Sequence, residues 1–317
     1  MKRILLILFC LLFLTGCSKK ETVIQGFSMD ASYQIEAKNI SKEQQIAIKA
    51  YLGQVDSVFN AYQKNSLIGK LNQTKVLTVS DSEEAILFDL IQRTLPFCNE
   101  YFDISIRPVS KLWNFKADVP TVPAANELQN NLNAVGYHNI ELTGNTVLLK
   151  NGAELEGGAV VKGYVCDRVA ELLSDKIALI DIGGTVKTIG QKITAGVKSP
   201  DRNGLLCSFI LPDGKAVATS GSYERNFVIG DTFYHHILSP QTGYPVESNF
   251  VSVTVISDSA LQADILSTTL FAENSLRVPK SAEVIYVTKD GSVYKSPKIE
   301  QFTLFNNTYQ VTTLEKE

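Results

Sequence analysis

The chain predicts an α+β fold, with helices packed on mixed and antiparallel sheets, as a single domain or as two lobes with a site between them. Three observations predict it. Helical stripes dominate the first part: Ile48, Leu52, Val55 and Phe59 recur at helical spacing, and Ile86, Leu87, Leu90, Ile91, Thr94 and Leu95 do so again. Short apolar or alternating runs dominate from 192 to 256, at 192–198, 205–211, 216–219, 226–229, 232–238 and 250–256. No internal repeat and no regular alternation of long βα units is present, which argues against a two-lobed solute-binding protein.

Length and composition permit a sizeable core: 317 residues, 44% of them hydrophobic and 20% charged. The net charge is −3 and no long basic run occurs, so nucleic acid is not an expected partner. Lys2 and Arg3 precede an apolar run, Ile4 to Leu14, that is too short to span a bilayer comfortably. Leu14-Thr15-Gly16-Cys17 follows and resembles a bacterial lipobox. The implication is a signal peptide over 1–16, a lipid on Cys17, a tether over 17–24 and a domain over 25–314. That domain would be extracytoplasmic and lipid-anchored to a bacterial membrane, on its periplasmic side. An uncleaved anchor or a chance cysteine is the plain alternative. Cys98, Cys166 and Cys207 fit neither a disulfide framework nor zinc spacing, so they read as small apolar packing groups, although one pair could bridge.

Each element has its own signal. Residues 22–37 alternate loosely and read as one or two strands. Ser41-x-x-Gln44 is a capping box opening a helix to about Asn60, and Ser80-x-x-Glu83 has the same form. A polar loop is expected over 60–72 and a bend at Pro96. Residues 116–125, with Pro120 and Pro123, read as a linker. A short helix should end with Gly136 as its C′ residue, before a hairpin around Gly144-Asn145. A helix follows Gly157-Gly158, and a buried strand over 178–182 leads into Gly183-Gly184. Residues 258–272 form the last clear helix, with Asp258 as its cap and strands closing the chain over 281–314.

That last helix carries the first chemical signal. Asp264 and Thr268 are four residues apart and share one face amid apolar neighbours. A carboxylate beside a hydroxyl is costly to bury unless something satisfies it, and a hard divalent cation would. The plain alternative is a solvated Asp with Thr268 bonding back to its own helix. A second signal is Gly157-Gly158 opening a helix with Lys162 near its start, where free N–H groups and an ammonium meet an anion. Glycines before a helix can also simply turn the chain, and the same holds for Gly183-Gly184. Residues 219–223 read as a polar turn. His235 and His236 are adjacent on a strand and should point to opposite faces, one toward a site. Trp113 and Asp103, within a stretch of aromatics, suit either a core corner or a flat-ring ligand.

With these pieces placed, the chain resembles the ApbE family of FAD:protein FMN transferases. Asn60-Ala61-Tyr62 to Asn72 resembles its S-T-Y…S-x-I…N segment, and Phe102-Asp103-Ile104-Ser105 to Trp113 its F-D-x-T…L-W-G-F segment. Glu156 to Tyr164 resembles D-L-G-A-I-A-K-G-Y, Gly183-Gly184 a Gly-Gly strand end, and Thr219 to Tyr223 T-S-G-x-Y. His236 to Pro245 resembles H-I-L-D-P-R-T-G-Y-P, and Ala263 to Thr268 A-D-A-L-S-T. Glu156 and Thr185 stand where the family commonly has Asp, and Ser239 and Gln241 replace an Asp and an Arg.

The resemblance implies that FAD is the substrate and that Mg²⁺ sits on its pyrophosphate, held by Asp264, Thr268 and the carbonyl of Ala159. Lys162 would hold phosphate, aided by the backbones of Gly157, Gly158, Gly183 and Gly184, with Ser220 and Gly221 also near the cofactor. His236 is the expected general base, because imidazole titrates near neutral pH. Tyr62, Asp103 and Thr242 would hold adenine or flavin groups. The acceptor would be a flavoprotein carrying D-x-x-[ST]-G-A-[ST], a motif this chain lacks. The alternatives are an FAD pyrophosphatase using the same site, or a non-catalytic FAD-binding lipoprotein.

Overall fold

The computed structural model describes residues 21–113, 115 and 119–315; Cys17 and the rest of the expected signal segment lie outside them. The chain opens with β1 (Glu21–Ser28) and β2 (Ala31–Lys38). The expected tether is shorter at its end, since Glu21 to Ile24 already pair with Lys38 to Ile35. Helix α1 (Lys42–Phe59) starts on the expected capping box: Ser41 Oγ accepts from Gln44 N at 3.1 Å, and Gln44 Oε1 accepts from Ser41 N at 3.0 Å. Part of the expected polar loop is helical, because Ser66 caps α2 (Leu67–Thr74) by accepting from Gly69 N.

Strand β3 (Val76–Thr78) leads to α3 (Ser82–Thr94). Its cap is Asp81 and not Ser80. The Asp81 carboxylate accepts from Glu84 N at 2.9 Å, while the Glu84 side chain returns to Ser80 N at 2.7 Å. The helix passes at Leu95–Phe97 into a tighter turn, where Pro96 has no N–H to continue the ladder. Next come α4 (Arg107–Trp113) and α5 (Ala125–Leu132). Gly136 does not end α5; at φ 149° it opens a separate short turn over Tyr137–Asn139. The hairpin of β4 (Ile140–Thr143) and β5 (Thr146–Leu149) forms as expected and adds β3 along β5.

The second part comprises α6 (Val161–Leu172), β6 (Ile177–Ile182), β7 (Thr185–Ile189), β8 (Ile193–Lys198), β9 (Leu205–Leu211) and β10 (Ala216–Gly221). It continues with β11 (Asn226–Ile229), β12 (Thr232–His235), β13 (Phe250–Ser257), α7 (Ala260–Glu273), β14 (Glu283–Thr288), β15 (Ser292–Lys295), β16 (Thr303–Leu304) and β17 (Gln310–Thr313). Nine strands form one sheet in the order β1-β2-β6-β7-β10-β13-β14-β15-β17, antiparallel except for the β15–β17 pair. Thr219 to Gly221 belong to β10, so the expected polar turn begins later, because these residues pair with Thr254 to Ser252 of β13.

Alternation along the strands separates two packed faces. Ala218, Val253, Val255, Val284 and Tyr286 pack with Ala263, Leu270 and Phe271 of α7. Val217, Ile256, Ile285 and Val287 meet Val197, Leu206, Phe209 and Leu211 of the β16-β9-β8 sheet. Toward the other end, α1, α3 and α6 bury Ile48, Leu52, Leu87 and Val165 with Ile35, Ile180 and Ile182. Cys98, Cys166 and Cys207 are buried and unbridged, as packing groups should be.

Helices α6 and α7 touch backbone to backbone near their first turns. A Cβ on Gly163 would lie 2.4 Å from the Ala260 carbonyl oxygen. Four residues beyond Gly163 stands Asp167, and four beyond Ala260 stands Asp264. Each carboxylate caps the other helix. Asp264 Oδ2 accepts from Gly163 N at 2.8 Å. Asp167 accepts from Ala260 N at 2.9 Å, Leu261 N at 3.0 Å and Ser259 Oγ at 2.6 Å. These acceptors satisfy N–H groups that a helix start leaves without intrahelical partners, and they complement its dipole. Ser259, and not Asp258, is the local cap of α7, accepting from Gln262 N; the Asp258 carboxylate turns away to Lys215.

Two helical glycines should therefore respond oppositely to alanine. Gly163→Ala forces a Cβ into backbone and should cost about 1–3 kcal/mol or more. Gly53→Ala, on the exposed face of α1 with open space at its Cβ, should gain roughly 0.5–1 kcal/mol. Denaturant midpoints measure both; a neutral Gly163→Ala would contradict the close approach.

Candidate active site

The start of α6, the β6–β7 turn, the end of β10 and one face of α7 converge on Asp264. Its side chain is 5% exposed. Oδ2 accepts from Gly163 N, and Oδ1 faces Thr185 Oγ1 at a long 3.4 Å. Burial raises its pKa above the usual carboxylate range; the Lys162 charge is the main opposing influence, followed by the Gly163 and Thr185 donors. Asp264 is thus not the solvated aspartate of the plain reading. Thr268 does bond back to its helix, donating to the Asp264 carbonyl at 3.3 Å, and it also lies 3.0 Å from Ser220 Oγ. Ser220 in turn meets Ser267 Oγ at 2.8 Å.

These groups offer a cation hard oxygen atoms. No cluster of three or more His, Cys, Asp or Glu exists among the described residues, so the set is one carboxylate, hydroxyls and backbone carbonyl. The Ala159 carbonyl accepts no hydrogen bond among the described residues, because the Gly163 N–H that could reach it is turned to Asp264. The buried Asp264 carboxylate, the Thr185 and Thr268 hydroxyls and the unbonded Ala159 carbonyl are oxygen donors of the kind Mg²⁺ takes.

Lys162, expected to hold phosphate, stands at the start of α6. Its ammonium is half-buried and makes no hydrogen bond among the described residues. Its stem passes Gly183, where a Cβ would lie 3.2 Å from Lys162 Cδ and 2.6 Å from Ala31 Cβ, at a φ of 59°. Gly183 is thus required by both backbone and space. The remaining glycines divide. Gly184 gives its N–H to Asp181 Oδ1 at 2.8 Å, so that donor is not available to a phosphate. Gly157 is buried against Val161, while Gly158 is exposed. Gly221 is buried under Tyr223 at the end of β10. The segment before Gly157 is pinned by Asn72, which donates to the Leu155 carbonyl at 3.0 Å and accepts from Leu155 N at 2.6 Å.

The histidines take different roles, although only His235 lies within β12. His235 is buried, with Nε2 on the Val246 carbonyl at 3.1 Å and Nδ1 accepting from Ile237 N at 3.3 Å, so both ring nitrogens are occupied. His236 is half-buried, and its Nδ1 lies 3.2 Å from the Arg225 carbonyl. A carbonyl only accepts, so Nδ1 carries the proton and Nε2 keeps a lone pair. Burial, with smaller contributions from the Arg225, His235 and Lys162 charges, lowers the His236 pKa to about 4. The expectation that it titrates near neutrality is therefore corrected: it stays neutral throughout the physiological range.

Two of the residues expected to hold adenine or flavin, Asp103 and Thr242, make bonds within the fold, and Trp113 takes the core-corner alternative. Asp103 is buried and accepts from Ser105 N and Oγ, both at 2.7 Å, and from Tyr137 N at 2.6 Å; it builds a loop. Thr242 is exposed, and its hydroxyl accepts from Tyr244 N within the turn after β12. Trp113 settles into a core corner, its Nε1 donating to the Gly243 carbonyl at 2.7 Å amid Phe227, Tyr234 and Tyr244. Tyr62 fits better: its ring is 48% exposed and backed by the Arg107 guanidinium at 4.1 Å, which Glu156 holds at 3.0 Å.

Sequence reading missed Asp167, Arg107 and Arg225, and noted Thr185 only as a departure from the family pattern. Arg225 anchors His236 through its carbonyl and reaches Asp30 at 3.6 Å. Its place two residues beyond Tyr223 was the available signal; Asp167 offered none without knowing which elements meet.

The ApbE family model matches residues 29–286. An FAD:protein FMN transferase of Klebsiella pneumoniae is 36% identical over 225 residues, covering 66% of this chain and 71% of that protein. One from Escherichia coli K12 is 26% identical over 336 residues, covering 93% and 94%. Among solved structures, the ApbE protein of Thermotoga maritima matches with a TM-score of 0.78 at 28% identity, covering 88% of this chain and 97% of that one. The flavin transferase ApbE of Vibrio cholerae, at 24% identity, shares the fold with a TM-score of 0.70, covering 86% and 94%. A match over most of the chain, in both sequence and fold, makes this protein a member of the ApbE family.

Proposed function

We infer that the chain is an FAD:protein FMN transferase, which moves FMN from FAD to an acceptor flavoprotein and releases AMP. The observation that carries this reading is the convergence of Lys162, buried Asp264 and Thr268 in a chain of this family. The acceptor side chain is a Thr or Ser hydroxyl within D-x-x-[ST]-G-A-[ST]. Its oxygen attacks the FMN-side phosphorus; the new O–P bond forms as the bond to the bridging oxygen breaks, and AMP leaves with that oxygen. Lys162 holds the phosphate charge. Neutral His236 takes the hydroxyl proton on Nε2, its ring fixed by Arg225. Asp264, Thr268 and the Ala159 carbonyl would hold Mg²⁺, which would supply charge neutralisation for the phosphoryl transfer. Tyr62 offers a ring face to adenine or flavin. The lipobox-like segment supports an extracytoplasmic enzyme held at the membrane through Cys17; no helix among the described residues is long and apolar enough to cross one.

The direct test mixes the detergent-solubilised chain with FAD, Mg²⁺ and an acceptor domain carrying the motif. The acceptor should gain the mass of FMN with AMP released, and Asp264→Ala should abolish both. AMP and free FMN without labelling would instead make the protein an FAD pyrophosphatase; bound, intact FAD would make it a carrier. His236→Asn should slow transfer by about 10²-fold or more, and near-normal transfer would make His236 structural.

The pH profile follows from the depressed His236 pKa. A base already neutral above about pH 5 leaves kcat/KM flat from about pH 6 to 8, with any acid limb lying lower. A limb centred near the ordinary histidine value, about 6.5, would contradict the assignment.

A further inference from the structure

We propose that Asp167 is a positioning residue for this reaction: through the first turn of α7 it sets where Asp264 and Thr268 stand relative to Lys162. The proposal rests on the transferase reading above. The Asp167 carboxylate receives Ser259 Oγ, Ala260 N and Leu261 N at 2.6–3.0 Å, and the Lys187 ammonium at 2.7 Å. Lys187, on β7, also donates to the Asp258 carbonyl at 2.8 Å. Helix α6, strand β7 and the start of α7 are thus tied at one carboxylate.

The tie bears on the site because of what lies one turn away. Asp264 is four residues beyond Ala260, and its carboxylate returns to Gly163 N, next to Lys162. The Gly163 and Ala260 backbones are in contact. Lys162 therefore rides on the same first turn that Asp264 caps, while Asp264 lies one turn beyond the turn that Asp167 caps. A shift of α7 along α6 moves both Asp264 and Thr268 away from Lys162 together. Groups that orient metal-holding side chains commonly alter metal affinity when changed, even without touching the ion.

Asp167→Asn keeps the shape but replaces one acceptor oxygen by an NH₂ donor, which meets either Leu261 N–H and the Ser259 hydroxyl or Ala260 N–H and the Lys187 ammonium. In the full chain with FAD and acceptor, the Mg²⁺ needed for half-maximal transfer should rise about tenfold. Saturating Mg²⁺ should restore kcat, with KM for FAD little changed. Mn²⁺ titrated into the chain with FAD, followed by electron paramagnetic resonance, should show the same loss of affinity without any turnover. A purely structural cap would lower Tm and leave the Mn²⁺ Kd of the folded protein unchanged, and that result overturns the proposal. So does a loss of kcat that Mg²⁺ does not restore. Should Asp167→Asn fail to fold, Ser259→Ala removes one of the three α7 donors and should raise both metal readings in the same direction; unchanged readings overturn the proposal. A wild-type chain that neither binds Mn²⁺ nor labels the acceptor defeats the transferase reading and this proposal together. Normal wild-type behaviour matched by Asp167→Asn defeats this proposal alone.

Discussion

Two helices that touch backbone to backbone, each closed by a carboxylate from the other, organise this protein. Gly163 permits the contact, and Asp167 and Asp264 exploit it. The exchange solves a packing problem first. A helix start buried against a neighbour leaves N–H groups that water cannot reach, and an acceptor must come from the neighbour. It also concentrates charge. The carboxylate that caps α6 stands beside the ammonium one residue from its partner N–H, so a structural bond and a charged site share the same atoms.

That sharing explains the electrostatics of the site. Asp264 is buried with one good donor and one long one, and burial raises its pKa against the pull of both donors. Lys162 stands close enough to oppose the shift without forming a bond to it. Both groups are incompletely satisfied by the protein, which is the state expected of residues that complete their coordination with a ligand. Thr185 sharpens the point. The family resemblance commonly places an Asp there, and here a buried threonine faces Asp264 with its hydroxyl. The centre consequently carries one carboxylate where two like charges would otherwise compete.

Much of this was legible in the sequence where the signal was local. The Ser41 capping box, the Gly144 hairpin, the strands from 193 onward and the Asp264–Thr268 spacing all follow from residues a few positions apart. The errors had physical causes. Ser80 lost the cap to Asp81 because both lie before the helix and only the three-dimensional turn decides which oxygen meets Glu84 N. Thr219 to Gly221 look like a turn by composition, yet pairing with β13 draws them into a strand. Asp103 carries a family motif, but its carboxylate is consumed by Ser105 and Tyr137, the latter 34 positions away. The expected titration of His236 near neutrality could not foresee its burial, which is a property of the fold and lowers its pKa. Asp167 was invisible, since its partners at the start of α7 lie more than 90 positions along the chain.

The central claim is that Lys162, Asp264 and Thr268 form one centre for the pyrophosphate of FAD and its metal. A crystal soaked with FAD and Mn²⁺, measured at the manganese absorption edge, tests it most directly. The account predicts a single anomalous peak between the Asp264 carboxylate and the Thr268 hydroxyl, with the FAD phosphates beside Lys162. Manganese bound elsewhere while FAD occupies the protein, or a pyrophosphate lying away from Lys162, would contradict it.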